Sequence, residues 1–149
     1  MILMYTGQYN HSIDSKGRLI VPSKFREELG NEFVVTKGLD GCLYMFDKLE
    51  WVKFQQKLTA MSDNMKKTRF LKRHFLGGAS IVEVDKQGRT LLPITLRESA
   101  GITKDVIIIG VGEKIEIWAK EKLDAFEEAD DAMSIEDIAE ELGELGMEF

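Results

Sequence analysis

One stretch of this chain is written twice. Ile13-Asp14-Ser15-Lys16-Gly17-Arg18-Leu19-Ile20-Val21-Pro22 aligns without a gap with Val84-Asp85-Lys86-Gln87-Gly88-Arg89-Thr90-Leu91-Leu92-Pro93, an offset of 71 residues. Arg26, Glu27 and Gly30 recur as Arg97, Glu98 and Gly101, and Pro22 and Pro93 are the only 2 prolines in the sequence. Fainter echoes continue: Phe33–Thr36 with Val106–Ile109, Leu43–Phe46 with Ile115–Trp118, and Lys48–Phe54 with Lys120–Phe126. A period of this kind requires one small unit built twice. The units span 1–62 and 79–130, with a basic connector over 63–78 and an acidic tail over 131–149. Each unit is too small to bury much core alone, so packing the two pseudo-symmetrically is the economical solution.

Local chemistry gives both units the same reading. A strand runs into Asp14 or Asp85, and a tight turn follows with Asp first and Gly fourth, the type I preference. Gly17 and Gly88 can take positive φ at little cost. A second strand ends at the proline, which suits the first turn of a short helix. That helix, Ser23–Leu29 in the first unit, stops at Gly30, and its copy stops at Gly101. A second hairpin follows, turning at Gly38-Leu39-Asp40-Gly41 or Gly110-Val111-Gly112-Glu113. A closing helix shows Trp51, Phe54 and Leu58 on one face. The fold class is α+β: two units of β-hairpin, short helix, β-hairpin and helix.

The formal net charge of −6 argues against nucleic acid until its distribution is considered. Residues 121–149 hold 12 of the 26 acids and only one base, Lys122. The preceding 120 residues are therefore net basic, which is compatible with phosphate binding. The lone Cys42 cannot make an internal disulfide, the apolar start Met1–Tyr5 lacks the pattern of a signal peptide, and the Val106–Val111 run is too short to span a bilayer. A cytoplasmic location is expected. His11, His74 and Cys42 show no zinc spacing, and the glycine pairs are turn signals rather than phosphate loops. No metal, cofactor or small-molecule ligand is expected. No nucleophile, base and orienting group can be assembled, so the chain is not expected to be an enzyme.

The repeated D-x-x-x-R turn and the V-P or L-P helix after it resemble the SpoVT-AbrB, or AbrB-like swapped-hairpin, module. Two such modules in a chain of this length resemble the MraZ family. The Gly38–Leu43 and Arg73–Ala79 stretches are also similar to that family. The resemblance implies a double-split β-barrel flanked by helices. It implies a transcriptional regulator, with repression expected, of the division and cell-wall gene cluster, associated with the nucleoid. It implies a ring-shaped homo-oligomer binding direct repeats in double-stranded promoter DNA through paired turns. Carried over by position, the DNA-binding residues are Asp14, Lys16, Gly17 and Arg18, with Asp85, Lys86, Gly88 and Arg89. The lysine has moved one place between copies, so the two loops need not read identical bases.

The chemistry suits those roles. Arginine can bridge O6 and N7 of guanine with its planar fork, whereas Lys16 and Lys86 can meet phosphates without reading sequence. An aspartate across the turn can restrict its arginine. One loop reads few bases, so specificity needs several loops at once. A secondary basic candidate is Lys66, Arg69 and Arg73, on one face of a helix whose Phe70 is expected to point inward. Arg26 and Arg97 are expected to pair between units or subunits, and Cys42 to be small and buried. The tail places Ile135, Ile138 and Leu142 on one helical face among acids; it can pack on a neighbour, stay mobile or compete for the basic loops. The alternative function is a protein-binding module, antitoxin-like or scaffolding, on the same fold.

Overall fold

The computed structural model describes residues 4–129 and 134–149. Residues 1–3, the start of the N-terminal apolar stretch, and residues 130–133, where the second unit is expected to give way to the tail, lie outside the described residues. The first copy contributes β1 (Tyr5–Ser12), β2 (Arg18–Ile20), α1 (Ser23–Leu29), β3 (Glu32–Lys37), β4 (Leu43–Phe46) and α2 (Lys48–Thr59). Helix α3 (Lys66–Phe75) connects it to β5 (Ser80–Glu83), β6 (Arg89–Leu91), α4 (Ile94–Ala100), β7 (Asp105–Gly112), β8 (Ile115–Ala119) and α5 (Lys120–Glu127). Helix α6 (Ile135–Glu144) lies in the tail. The architecture is mixed α+β, and no described helix is long and apolar enough to cross a membrane.

The two copies share one sheet. Six antiparallel strands lie in the order β1-β7-β8-β4-β3-β5. Exchanging each strand for its repeat equivalent reverses that order onto itself, so a pseudo-two-fold axis passes between β4 and β8. The first strand of each copy pairs with the third strand of the other, Tyr9 opposite Ile108 and Phe33 opposite Val82. The second strands form a separate two-stranded ribbon, β2 with β6. Among the described residues the ladders thus make an open sheet and a ribbon, not a closed barrel, where the resemblance implies a double-split barrel. Single bridges, Ile13 to Leu19 and Val84 to Thr90, link the ribbon to the two edge strands. Three-residue strands carry too few ladder bonds to close the wall further.

Alternation along the strands divides the core between the two faces of the sheet. Phe33, Val35, Leu43, Met45, Val106, Ile108, Ile115 and Ile117 face the ribbon with α1 and α4. Tyr44, Phe46, Ile107 and Trp118 face the other way, onto Leu58 of α2, Phe75 of α3 and Leu123 of α5. Trp51 and Phe54 join that second cluster, with Phe54 stacked on Phe46 at 5.0 Å between centroids. Pro22 and Pro93 are the cap residues of α1 and α4, and their carbonyls accept the first helical N–H groups, at 3.2 Å from Arg26 and 3.0 Å from Arg97. Their extended ψ of 131° and 141° suits a residue entering a helix from a strand.

Candidate nucleic-acid interface

Each D-x-x-x-R turn is built by its aspartate. Asp14 Oδ1 accepts the backbone N–H groups of Lys16 and Arg18, both at 2.9 Å, and Oδ2 accepts Arg18 Nε at 2.6 Å. Asp85 repeats this with Gln87 and Arg89, both N–H groups at 2.9 Å and Arg89 Nε at 2.9 Å. The aspartate side chain thus imitates a backbone turn and braces the arginine beside it. Gly17 and Gly88, at φ 84° and 78°, close the two turns. The donated bonds favour the ionised carboxylate. Asp14 is drawn down to about 2, chiefly by the Arg18 N–H; desolvation, the next effect in size, raises it, and the Arg18 guanidinium and the Lys16 N–H lower it further. Asp85 is lowered for the same reasons, the Arg89 N–H first.

The turns are also held by each other's repeat. Leu92 donates its N–H to Gly17 O at 3.1 Å, and Val21 donates to Gly88 O at 2.9 Å. The guanidinium of Arg97 lies against Gly17, and that of Arg26 against Gly88, each closer than a β-carbon would permit. The expected contact between units is therefore present for both arginines, as packing over glycine rather than as ion pairing. The pair is asymmetric: Arg97 Nε donates to Leu92 O at 2.9 Å, whereas Arg26 Nε is buried with no partner among the described residues.

This construction brings Arg18 and Arg89 together on one surface. In the ribbon Arg18 lies opposite Leu91, Leu19 opposite Thr90, and Ile20 opposite Arg89. Leu19 and Thr90 point into the core, 0% and 1% exposed. The outer face is therefore Arg18, Ile20, Arg89 and Leu91, a diagonal of two arginines crossing a diagonal of two aliphatic side chains. Both arginines line an open cleft of about 470 Å3 with Asp85, Glu83, Ile81 and Leu91. Among the described residues the aspartates engage only the Nε atoms, and no protein acceptor engages the Nη groups. Lys16 and Lys86 are exposed at the turn tips. Ile20 and Leu91, 47% and 55% exposed, were not singled out from the sequence. Period-two alternation outward from Leu19 and Thr90 was the signal that would have found them.

The secondary basic candidate is placed elsewhere. Phe75 of α3 packs with the cluster on the sheet face opposite the ribbon. Phe70 does not point inward as expected. It is 57% exposed, with Lys66 Nζ 5.6 Å and the Arg73 guanidinium 5.9 Å from its ring centroid. The inward face of α3 belongs to Thr68 and Phe75, seven residues apart, and Phe70 falls outside it. Arg69 Nη1 donates to Asp63 O at 2.8 Å, so that cation is partly engaged. Thr36 ties α3 to the sheet by donating to Phe75 O at 2.6 Å. Cys42 is buried, its Sγ donating to Leu39 O at 3.2 Å, and burial pushes its thiol up to about 12. Among the described residues no three or more metal-binding side chains come together.

A family model described as "MraZ protein, putative antitoxin-like" matches the chain twice, over residues 4–74 and 75–144. A protein named Transcriptional regulator MraZ from Lachnoclostridium phytofermentans is 49% identical over 146 residues, which cover 98% of this chain and 100% of that one. A protein of the same name from Caldanaerobacter subterraneus subsp. tengcongensis is 52% identical, over 93% of this chain and 96% of its own. A third, from Acetivibrio thermocellus, is 49% identical over 97% of this chain and 100% of its own. With the whole duplication matched and near-full coverage of the relatives, the chain belongs to the MraZ family.

Proposed function

We propose that this chain is a sequence-specific DNA-binding transcriptional regulator that grips tandem promoter repeats through its two D-x-x-x-R turns. The observation that carries the reading is the outer face of the ribbon, where Arg18 and Arg89 stand diagonally with no acceptor for their Nη groups among the described residues. A two-stranded ribbon fits the major groove, and a braced arginine offers both Nη donors to a guanine edge. Lys16 and Lys86 at the turn tips meet phosphates and set the register. Ile20 and Leu91 between the arginines suit thymine methyl groups. The relatives' printed name supports the regulatory role.

The finer parts of the reading rest on the family resemblance: repression of the division and cell-wall cluster, a ring oligomer that presents several ribbons at once, and action in the cytoplasm at the nucleoid. The bridges at Ile13–Leu19 and Val84–Thr90 support reading the eight strands as a barrel split at two places. The units 1–62 and 79–130 then serve as half-barrels rather than as separate domains. An electrophoretic mobility assay on the DNA upstream of its own gene, at physiological salt, tests the function. A shift at far lower protein concentration than on random DNA is expected. Equal shifts on both, or none, would leave the protein-binding alternative standing.

A further inference from the structure

Two apolar surfaces of this chain are uncovered, and they are opposite in charge. The first is a groove of about 740 Å3 beside α3, floored by Leu39, Phe70 and Leu71 and rimmed by Lys37, Lys67 and Arg73. Its side chains are ones a folded protein normally covers: Phe70 is 57% exposed and Leu39 51%. The second is α6. Ser134 caps it by accepting the Asp137 N–H at 3.1 Å. Ile135, Ile138 and Leu142 share one face, flanked by Glu136, Asp137, Glu140, Glu141 and Glu144, and no lysine or arginine occurs from Ser134 to Phe149. No residue of α6 is buried. A helix of 10 residues is marginal alone in water, so its formation depends on something to dock against.

We propose that α6 of one copy docks by its Ile135, Ile138 and Leu142 face into the α3 groove of a second copy. This specifies a contact within the oligomer of the proposed function and rests on that part of the reading. Complementarity selects the partner: an acidic amphipathic helix meets an apolar floor between basic rims, the usual terms of helix-in-groove recognition. Among the described residues of one chain both surfaces stay uncovered, and a second copy offers each the cover it lacks. Groove and tail are separate patches, so every copy offers one of each. Such a head-to-tail contact propagates from subunit to subunit and closes into a ring where the rotation permits. Phe70, which as an inward residue would have been spent on the core, becomes the central anchor of the interface.

Cysteine pairing tests this with the full chain. In a Cys42→Ala background, a tagged Leu142→Cys protein is mixed with an untagged Leu71→Cys protein under mild oxidation. A covalent heterodimer is expected, because neither chain can form the bond alone. It should form much more slowly when Lys57→Cys on α2 replaces Leu71→Cys, and when 0.5 M salt is added. No heterodimer, or one formed equally fast with Lys57→Cys, overturns the docking. So does a disulfide found only inside a doubly substituted chain. A second measurement avoids the altered background. Ile138→Asp should lower the sedimentation mass of the otherwise native protein at micromolar concentration, with its circular dichroism otherwise preserved; an unchanged mass overturns the docking. A chain that cross-links yet fails to shift its promoter DNA would instead count against the DNA-binding reading alone.

Discussion

The guanidinium of Arg97 rests on Gly17, in space that any β-carbon would occupy, and Arg26 rests on Gly88 in the same way. Gly17 therefore has two reasons to be glycine. Its φ of 84° suits no other residue well, and its missing side chain seats an arginine from the other repeat. The Asp14–Arg18 turn and the helix that follows the opposite turn are one mechanical unit.

Gly17→Ala and Gly88→Ala should accordingly destabilise the fold by roughly 1–3 kcal/mol each, mostly from left-handed backbone strain, since the arginine tip can shift. Urea unfolding checks this through the midpoint at unchanged slope. Arg97→Ala should partly relieve the Gly17→Ala penalty, and a double-mutant cycle reads the coupling.

The duplication, both turns, both short helices and the closing helices were legible from residue types alone. Turn residues and apolar spacing act locally, so Asp14, Gly17, Pro22 and Gly30 marked their positions without help. The pairing of β1 with β7 and of β3 with β5 was not legible. Periodicity says that Tyr5–Ser12 is a strand and says nothing of which strand receives it. Phe70 was misread because the basic residues around it suggested an outer face elsewhere, while Thr68 in fact takes the inward position. The arginine seats on the glycines were out of reach, since they join residues from different copies.

Arg18→Ala and Arg89→Ala should each weaken specific promoter binding by roughly 1–3 kcal/mol and relax the preference at their own base positions. Lys16→Ala and Lys86→Ala should weaken binding to all sequences alike and lower the salt slope by about 1 each. Titrations at several salt concentrations separate the two behaviours. Neither class should change the far-ultraviolet circular dichroism.

Acid should release the turns late. Asp14 titrates near 2 when folded, against an ordinary value of 3.8, so its ionised form is favoured by folding. That contribution is fully present above about 3.8 and is lost as pH falls towards 2. Carboxyl chemical shifts followed from pH 5 downwards should place the Asp14 midpoint well below those of exposed glutamates. Asp14→Asn keeps an oxygen for the Lys16 and Arg18 N–H groups, so it should perturb the fold less than Asp14→Ala while still freeing the arginine.

Cys42 should resist thiol reagents in the native protein at pH 8, because burial holds its thiol near 12 and little thiolate forms. Rapid labelling by a chromogenic disulfide should begin only on denaturation. Fast labelling of the folded chain would mean that the Gly38–Gly41 turn opens readily.

The palindromic strand order around β4 and β8 has one more consequence. Two identical chains joined in this way would be bound to equivalence, and their natural target would be an inverted sequence. Here a single gene encodes both halves, and each is free to drift. The first tip already carries Ser15 and Lys16 where the second carries Lys86 and Gln87. A covalently fused pair can therefore become polar, with a left hand and a right hand. On the proposed DNA-binding reading, its ribbon can tell one direction along the double helix from the other.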